Sequence, residues 1–226
     1  MNDPRRWTAV VVFAIAMALL EAAVVTYLRT FLDRIEPYQA SPLPVPEWLM
    51  PIEIAREMAT VIMLGAVAWL AGRSWQARFG YFLIAFGVWD IFYYVFLAPM
   101  SGWPRSLLDW DVLFLIPLPW WGPVLAPVSI AALMVIGGTM IARFGKDESP
   151  LWPGTVSWYM SLAGALLALY VFMDDALHAP EWSEETLTNI LPVAFNWSLF
   201  LPALALMCAP IVNMLWKLGF GARQKV

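Results

Sequence analysis

Long apolar runs broken by short polar segments dominate the chain, and their lengths predict helices rather than strands. Six runs approach or exceed the about 20 residues that a helix needs to cross a hydrocarbon core: Trp7–Leu28, Ile52–Gly72, Phe79–Leu97, Pro123–Ile141, Val156–Met173 and Leu187–Trp216. The last carries Pro192, Pro202 and Pro210, which predicts a kink or a preceding surface turn. A seventh apolar stretch, Val112–Trp121, is too short to span. Its Pro117 and Pro119, followed by Pro123 and Pro127, point to a broken, interfacial or re-entrant segment. The expected fold is therefore an all-α integral membrane protein of about six transmembrane helices. No polar linker divides it, so residues 1–226 form one polytopic domain.

Composition sharpens this picture. Of the 226 residues 62% are hydrophobic and only 13% are charged, and the mean hydropathy is +0.69. Soluble domains carry about twice that charged share, so a bilayer is the expected solvent for much of the chain. The net charge of −4 offers no basic stripe for phosphates, which argues against nucleic acid as a partner. Cys208 is the only cysteine, so disulfides within the chain are excluded. The first run follows Arg5 and Arg6 as a signal peptide would, but it outlasts a signal core and reads as a retained helix.

The basic residues set an orientation. If the N-terminus is cytoplasmic, nine of the 13 Lys and Arg fall at inner ends: Arg5, Arg6, Arg73, Arg78, Arg143, Lys146, Lys217, Arg223 and Lys225. This bias predicts both termini inside, in a bacterial plasma membrane. Tryptophans such as Trp7, Trp48, Trp103, Trp152 and Trp216 stand at the expected interfaces. Gly65, Gly80, Gly87, Gly137, Gly138 and Gly164 are candidates for close helix contacts.

The acids are distributed unevenly. On that topology only Asp3, Asp147 and Glu148 of the 17 lie inside. At ~1.5 Å per residue, Glu21 and Asp90 sit ~10 Å below the outer ends of their helices and Glu57 ~8 Å below its own. Three helices thus bring carboxylates to one layer, where each is costly without a partner or cavity. Asp174, Asp175 and the sole histidine, His178, close the fifth span on the same side. Asp175 and His178 are spaced i,i+3, the carboxylate–imidazole spacing of di-iron bundles.

These residues define a candidate metal site of Glu21, Glu57, Asp90, Asp175 and His178. Glu53, Arg56, Asp174, Tyr94 and Asp111 would stand behind them or balance their charge. Oxygen donors with one imidazole suit Fe, Zn or Mn, and a haem clamped by two histidines is excluded by the single His. The expected function is a metal-dependent membrane enzyme using hydrolysis or non-haem oxidation on a lipid-soluble or interfacial substrate. Hydrogen-bonding glue between helices is the plainer reading of the same acids. A non-catalytic subunit packed among lipids, other membrane subunits or quinones is the alternative function. A proton or cation conductor ranks behind, because the inner halves of the spans offer few polar groups.

Overall fold

In the computed structural model, residues 4–33, 35–37, 48–116, 118–145, 151–178 and 194–223 are described. Helices α1 (Pro4–Phe31), α2 (Leu49–Ala71) and α3 (Trp75–Ser101) come first. A two-stranded antiparallel hairpin follows, β1 (Trp110–Phe114) and β2 (Trp120–Pro123). The chain continues with α4 (Leu125–Phe144), α5 (Thr155–Leu177), α6 (Trp197–Met207) and α7 (Ala209–Arg223). Six spans, the last running through α6 into α7 as Trp197–Gly219, are long and apolar enough to cross a membrane. The sequence reading of an all-α bundle of six spans therefore holds. Several helix ends lie a few residues beyond the apolar runs, as at both ends of α1 and α3, whereas α4 starts at Leu125 inside its run and α2 ends at Ala71, one residue short of its own.

Two features of the last and the short segments have local causes. Pro210 has no N–H for the Leu206 carbonyl, so one rung of the ladder is lost between α6 and α7, while Cys208 keeps right-handed helical angles (φ −72°, ψ −18°) and the span continues. Pro192 and the start of the predicted sixth run lie outside the described residues. The stretch 112–121 is broken, as expected, but as a β-hairpin rather than an irregular segment. Val112 pairs with Trp121 and Asp111 with Gly122, and the register slips between Val112 and Phe114. Strand pairing satisfies backbone groups without a helix, which the re-entrant position requires.

The turn before the hairpin is organised by one side chain. The Asp109 carboxylate accepts from the backbone N–H groups of Arg105 (2.6 Å) and Ser106 (2.9 Å). Gly102 ends α3 in the left-handed region (φ 75°), donating its N–H to the Ala98 carbonyl at 2.9 Å. A side chain would be strained at that angle, so glycine is the natural helix terminator here.

Packing forms four buried clusters, of which two are the largest. Val10, Ala14 and Ala18 of α1, spaced i,i+4, meet Leu64 and Ala68 of α2 and Ile84, Ala85 and Val88 of α3. On the other side, Ala126 of α4 packs with Ala168, Val171 and Phe172 of α5 and with Phe200 and Ala203 of α6. The α3–α4 contact joins them. A Cβ on Gly87 would lie 2.5 Å from the Ala131 carbonyl oxygen, so only glycine allows that approach. Small residues at such crossings are how membrane helices gain packing energy without a hydrophobic driving force. Gly65, by contrast, has open space around its Cα and serves no helix contact.

Hydrogen bonds identify which ends lie together. Arg6 donates to the Ala71 carbonyl at 3.0 Å and Trp7 Nε1 to Thr139 Oγ1 at 3.2 Å. The start of α1 therefore shares one end of the bundle with the ends of α2 and α4. Lys217 donates to the Trp152 carbonyl at 2.8 Å, and Phe79 packs edge-on against Trp152, bringing α7 to the same end. The hairpin sits at the opposite end.

Candidate functional site

The buried stripes of three helices carry polar residues toward the hairpin end. On α1 the stripe Val10, Ala14, Ala18, Ala22, Val25 continues the spacing to Glu21 and Arg29. On α2 the stripe Ala68, Leu64, Thr60 continues to Glu57. The same geometry that packs the core thus turns acids and an arginine inward near the helix ends. On α3, Asp90, Tyr93 and Tyr94 follow Trp89 within little more than one turn.

These side chains surround a cavity of about 210 Å³ between α1, α2, α3 and the hairpin. Glu21, Arg29, Glu53, Arg56, Glu57, Thr60, Asp90, Tyr93 and Tyr94 line it from the helices. Val112, Phe114, Leu115 and Trp121 close it from the hairpin.

The polar groups are organised by two arginines. Arg56 forms an ion pair with Glu21 across the α1–α2 contact. It also holds Glu53 one turn away, Nε to Oε2 2.9 Å. Thr60 Oγ1 donates to the other Glu21 oxygen at 3.1 Å. Arg29 Nη2 bonds Asp111 Oδ1 at 2.5 Å, and Asp111 is fully buried, with 0% exposure. Burial pushes the Asp111 carboxyl above its ordinary pKa, and the Arg29 guanidinium beside it opposes the rise. This pair locks the first strand of the hairpin onto α1.

Glu57 has a different task. Its Oε2 accepts the Leu115 backbone N–H at 3.1 Å, capping the hairpin loop beyond β1. Glu57 lies eight residues into a helix that starts at Leu49, or ~12 Å along it. The hairpin tip therefore reaches well below the end of α2.

Several buried polar atoms around this cavity have no hydrogen-bond partner among the described residues. They include Asp90 Oδ2, Arg29 Nη1, Trp89 Nε1 and Trp121 Nε1. A buried unsatisfied group costs roughly 1–3 kcal/mol, so these atoms need a partner from outside the described residues, such as water.

The sequence-derived site is divided by the fold. Glu21, Glu57 and Asp90 come together, with Glu53, Arg56 and Tyr94 beside them and Asp111 one contact away through Arg29. Asp174, Asp175 and His178 do not join the cavity lining. α5 packs against α6 and against β2, where Trp120 stacks on Phe172. The end of α5 is thus held by the second core. His178 points outward, 68% exposed, with Nδ1 3.3 Å from the Asp174 carboxylate. Among the described residues, no group of three or more His, Cys, Asp or Glu is arranged to hold a metal ion. The five anticipated ligands are therefore not gathered, because three of them line the cavity and two lie apart.

Thr60 is the lining residue that the sequence reading misses, whereas Trp89 and Trp121 lie in stretches it names without assigning either a role in the site. Thr60 was legible as the next position on the buried stripe through Leu64 and Ala68. The two tryptophans carried no signal that separates them from interfacial ones. No family model, curated protein or solved structure matches the chain.

Proposed function

We propose that the protein is a multi-pass plasma-membrane protein whose cavity at the hairpin end binds a small lipid-soluble or interfacial substrate by its polar head. The observation that carries this reading is the cavity itself. Three helices and a hairpin converge on about 210 Å³ whose walls combine apolar surface with ionisable and unsatisfied polar groups. Pockets of this kind, mostly apolar with a few convergent polar groups, are the usual form of small-molecule sites. A cavity of only ~150 Å³ can hold benzene, so a ring or short chain with a polar head fits.

The excess of Lys and Arg near the opposite end supports an orientation with both termini cytoplasmic and the cavity toward the outer face. The carboxylates would serve as hydrogen-bonding and proton-exchanging groups toward the substrate. Metal-assisted chemistry with Fe, Zn or Mn finds less support. Glu21, Glu53 and Asp111 are engaged by arginines, and Glu57 holds the hairpin backbone.

Native mass spectrometry of the protein released from mild detergent tests the reading. The wild type is expected to carry a small amphiphilic adduct. A Leu28→Trp variant, which fills the cavity from its α1 wall, is expected to lose it while remaining folded. A wild type free of adducts, with unchanged stability across a panel of small amphiphiles, would contradict the proposal.

A further inference from the structure

The charges around the cavity do not balance. Its lining carries four carboxylates, Glu21, Glu53, Glu57 and Asp90, and two guanidiniums, Arg29 and Arg56. Arg29 is already committed to Asp111, and Arg56 is shared between Glu21 and Glu53. Among the described residues, Glu57 and Asp90 form no ion pair, and Asp90 Oδ2 is buried with no hydrogen-bond partner at all. An anionic head group would find no uncommitted guanidinium here, whereas a cation would find two carboxyls without a counter-charge.

The walls supply a second feature independent of charge. Trp89, Tyr93, Tyr94 and Trp121 line the same space, with Trp89 packed edge-on against Phe86 and Tyr93 against Tyr94. Aromatic faces beside carboxylates attract organic cations, because the ring quadrupole presents negative charge at the face.

We infer that the polar head taken by this cavity is a protonated amine, carried on a short aromatic or aliphatic body, with Asp90 as its principal counter-charge. This rests on the proposed role of the cavity as a ligand site and specifies what that ligand is. Asp90 Oδ2 would accept the ammonium N–H, the aromatic walls would flank the cation, and the apolar residues of the hairpin would cover the body. Asp90 belongs to α3, which packs against α1, α2 and α4, so a ligand would meet it on a regular helix rather than a loop.

The test uses the full chain in detergent or nanodiscs and three radiolabelled probes of similar size: 2-phenylethylammonium, 2-phenylethanol and 3-phenylpropionate. Equilibrium dialysis is expected to show the ammonium binding at least tenfold tighter than the alcohol, with the carboxylate weakest. Asp90→Asn is expected to abolish the preference for the cation, bringing ammonium binding to within about twofold of the alcohol. Glu57→Gln serves as the second variant if Asp90→Asn fails to fold, and should reduce the preference. Alcohol or carboxylate binding as tight as the ammonium would overturn the cation assignment while sparing the cavity as a ligand site. So would a preference that survives Asp90→Asn. Failure of all three probes to bind folded protein would overturn both.

Discussion

At the residue scale, the polar side chains near the hairpin end fall into different physical roles despite their common depth. Glu57 is 8% exposed and spends one oxygen on the Leu115 backbone N–H. Glu57→Ala would leave that N–H unsatisfied and should lower stability by about 1–3 kcal/mol. Glu57→Gln keeps an acceptor oxygen and should cost less than half as much. Thermal unfolding of both variants in one detergent checks this, and equal losses would show that the hydrogen bond is not what Glu57 supplies. The sequence disclosed that Glu21, Glu57 and Asp90 share a layer, because helical rise alone fixes depth. It could not disclose their partners. Arg29 and Asp111 are 82 positions apart, and nothing in their spacing signals a contact that depends on how the hairpin folds back.

At the element scale, the hairpin and the close helix crossings do the organising. The Arg29–Asp111 pair is the only ion pair among the described residues that ties the hairpin strands to a helix. Removing one partner of a buried pair typically costs 3–5 kcal/mol, because the other charge is stranded. Arg29→Met and Asp111→Leu should each approach that loss, whereas the double variant should lose much less than their sum. A double-mutant cycle by chemical unfolding measures the difference, and additive losses would argue against a direct pair. The α3–α4 crossing permits a sharper contrast. Gly87→Val would force a side chain against the Ala131 backbone, and overpacking of this kind costs roughly 1–3 kcal/mol or more. Gly65→Ala meets open space and should be neutral or slightly stabilising. Both glycines looked alike in the sequence. Which face of a helix meets a neighbour is a tertiary property, and the apolar lipid-facing side gives no contrast against which to read it. The same ambiguity hid the strands at 110–123, since a short run of prolines and aromatics fits a hairpin and an irregular loop equally well.

At the scale of the whole molecule, six apolar spans pack around several buried clusters and leave a largely apolar cavity with convergent ionisable groups at one end. The span count was legible because the bilayer imposes a length that few other constraints mimic. The division of the acids was not, because it depends on α5 belonging with α6 and β2 rather than with α1 to α3. Substituted-cysteine labelling tests the central claim, a cavity with ionisable walls sunk into a membrane-embedded bundle, in a single comparison. In a Cys208→Ser background, Thr60→Cys places a thiol on the cavity wall, at a position only 2% exposed. Ile62→Cys places one two residues away on a face that is 65% exposed. The account predicts that a small cationic methanethiosulfonate reaches position 60 and leaves position 62 unmodified, because lipid covers the latter. Rapid modification at 62 with none at 60 would contradict it, showing α2 in water and the cavity closed.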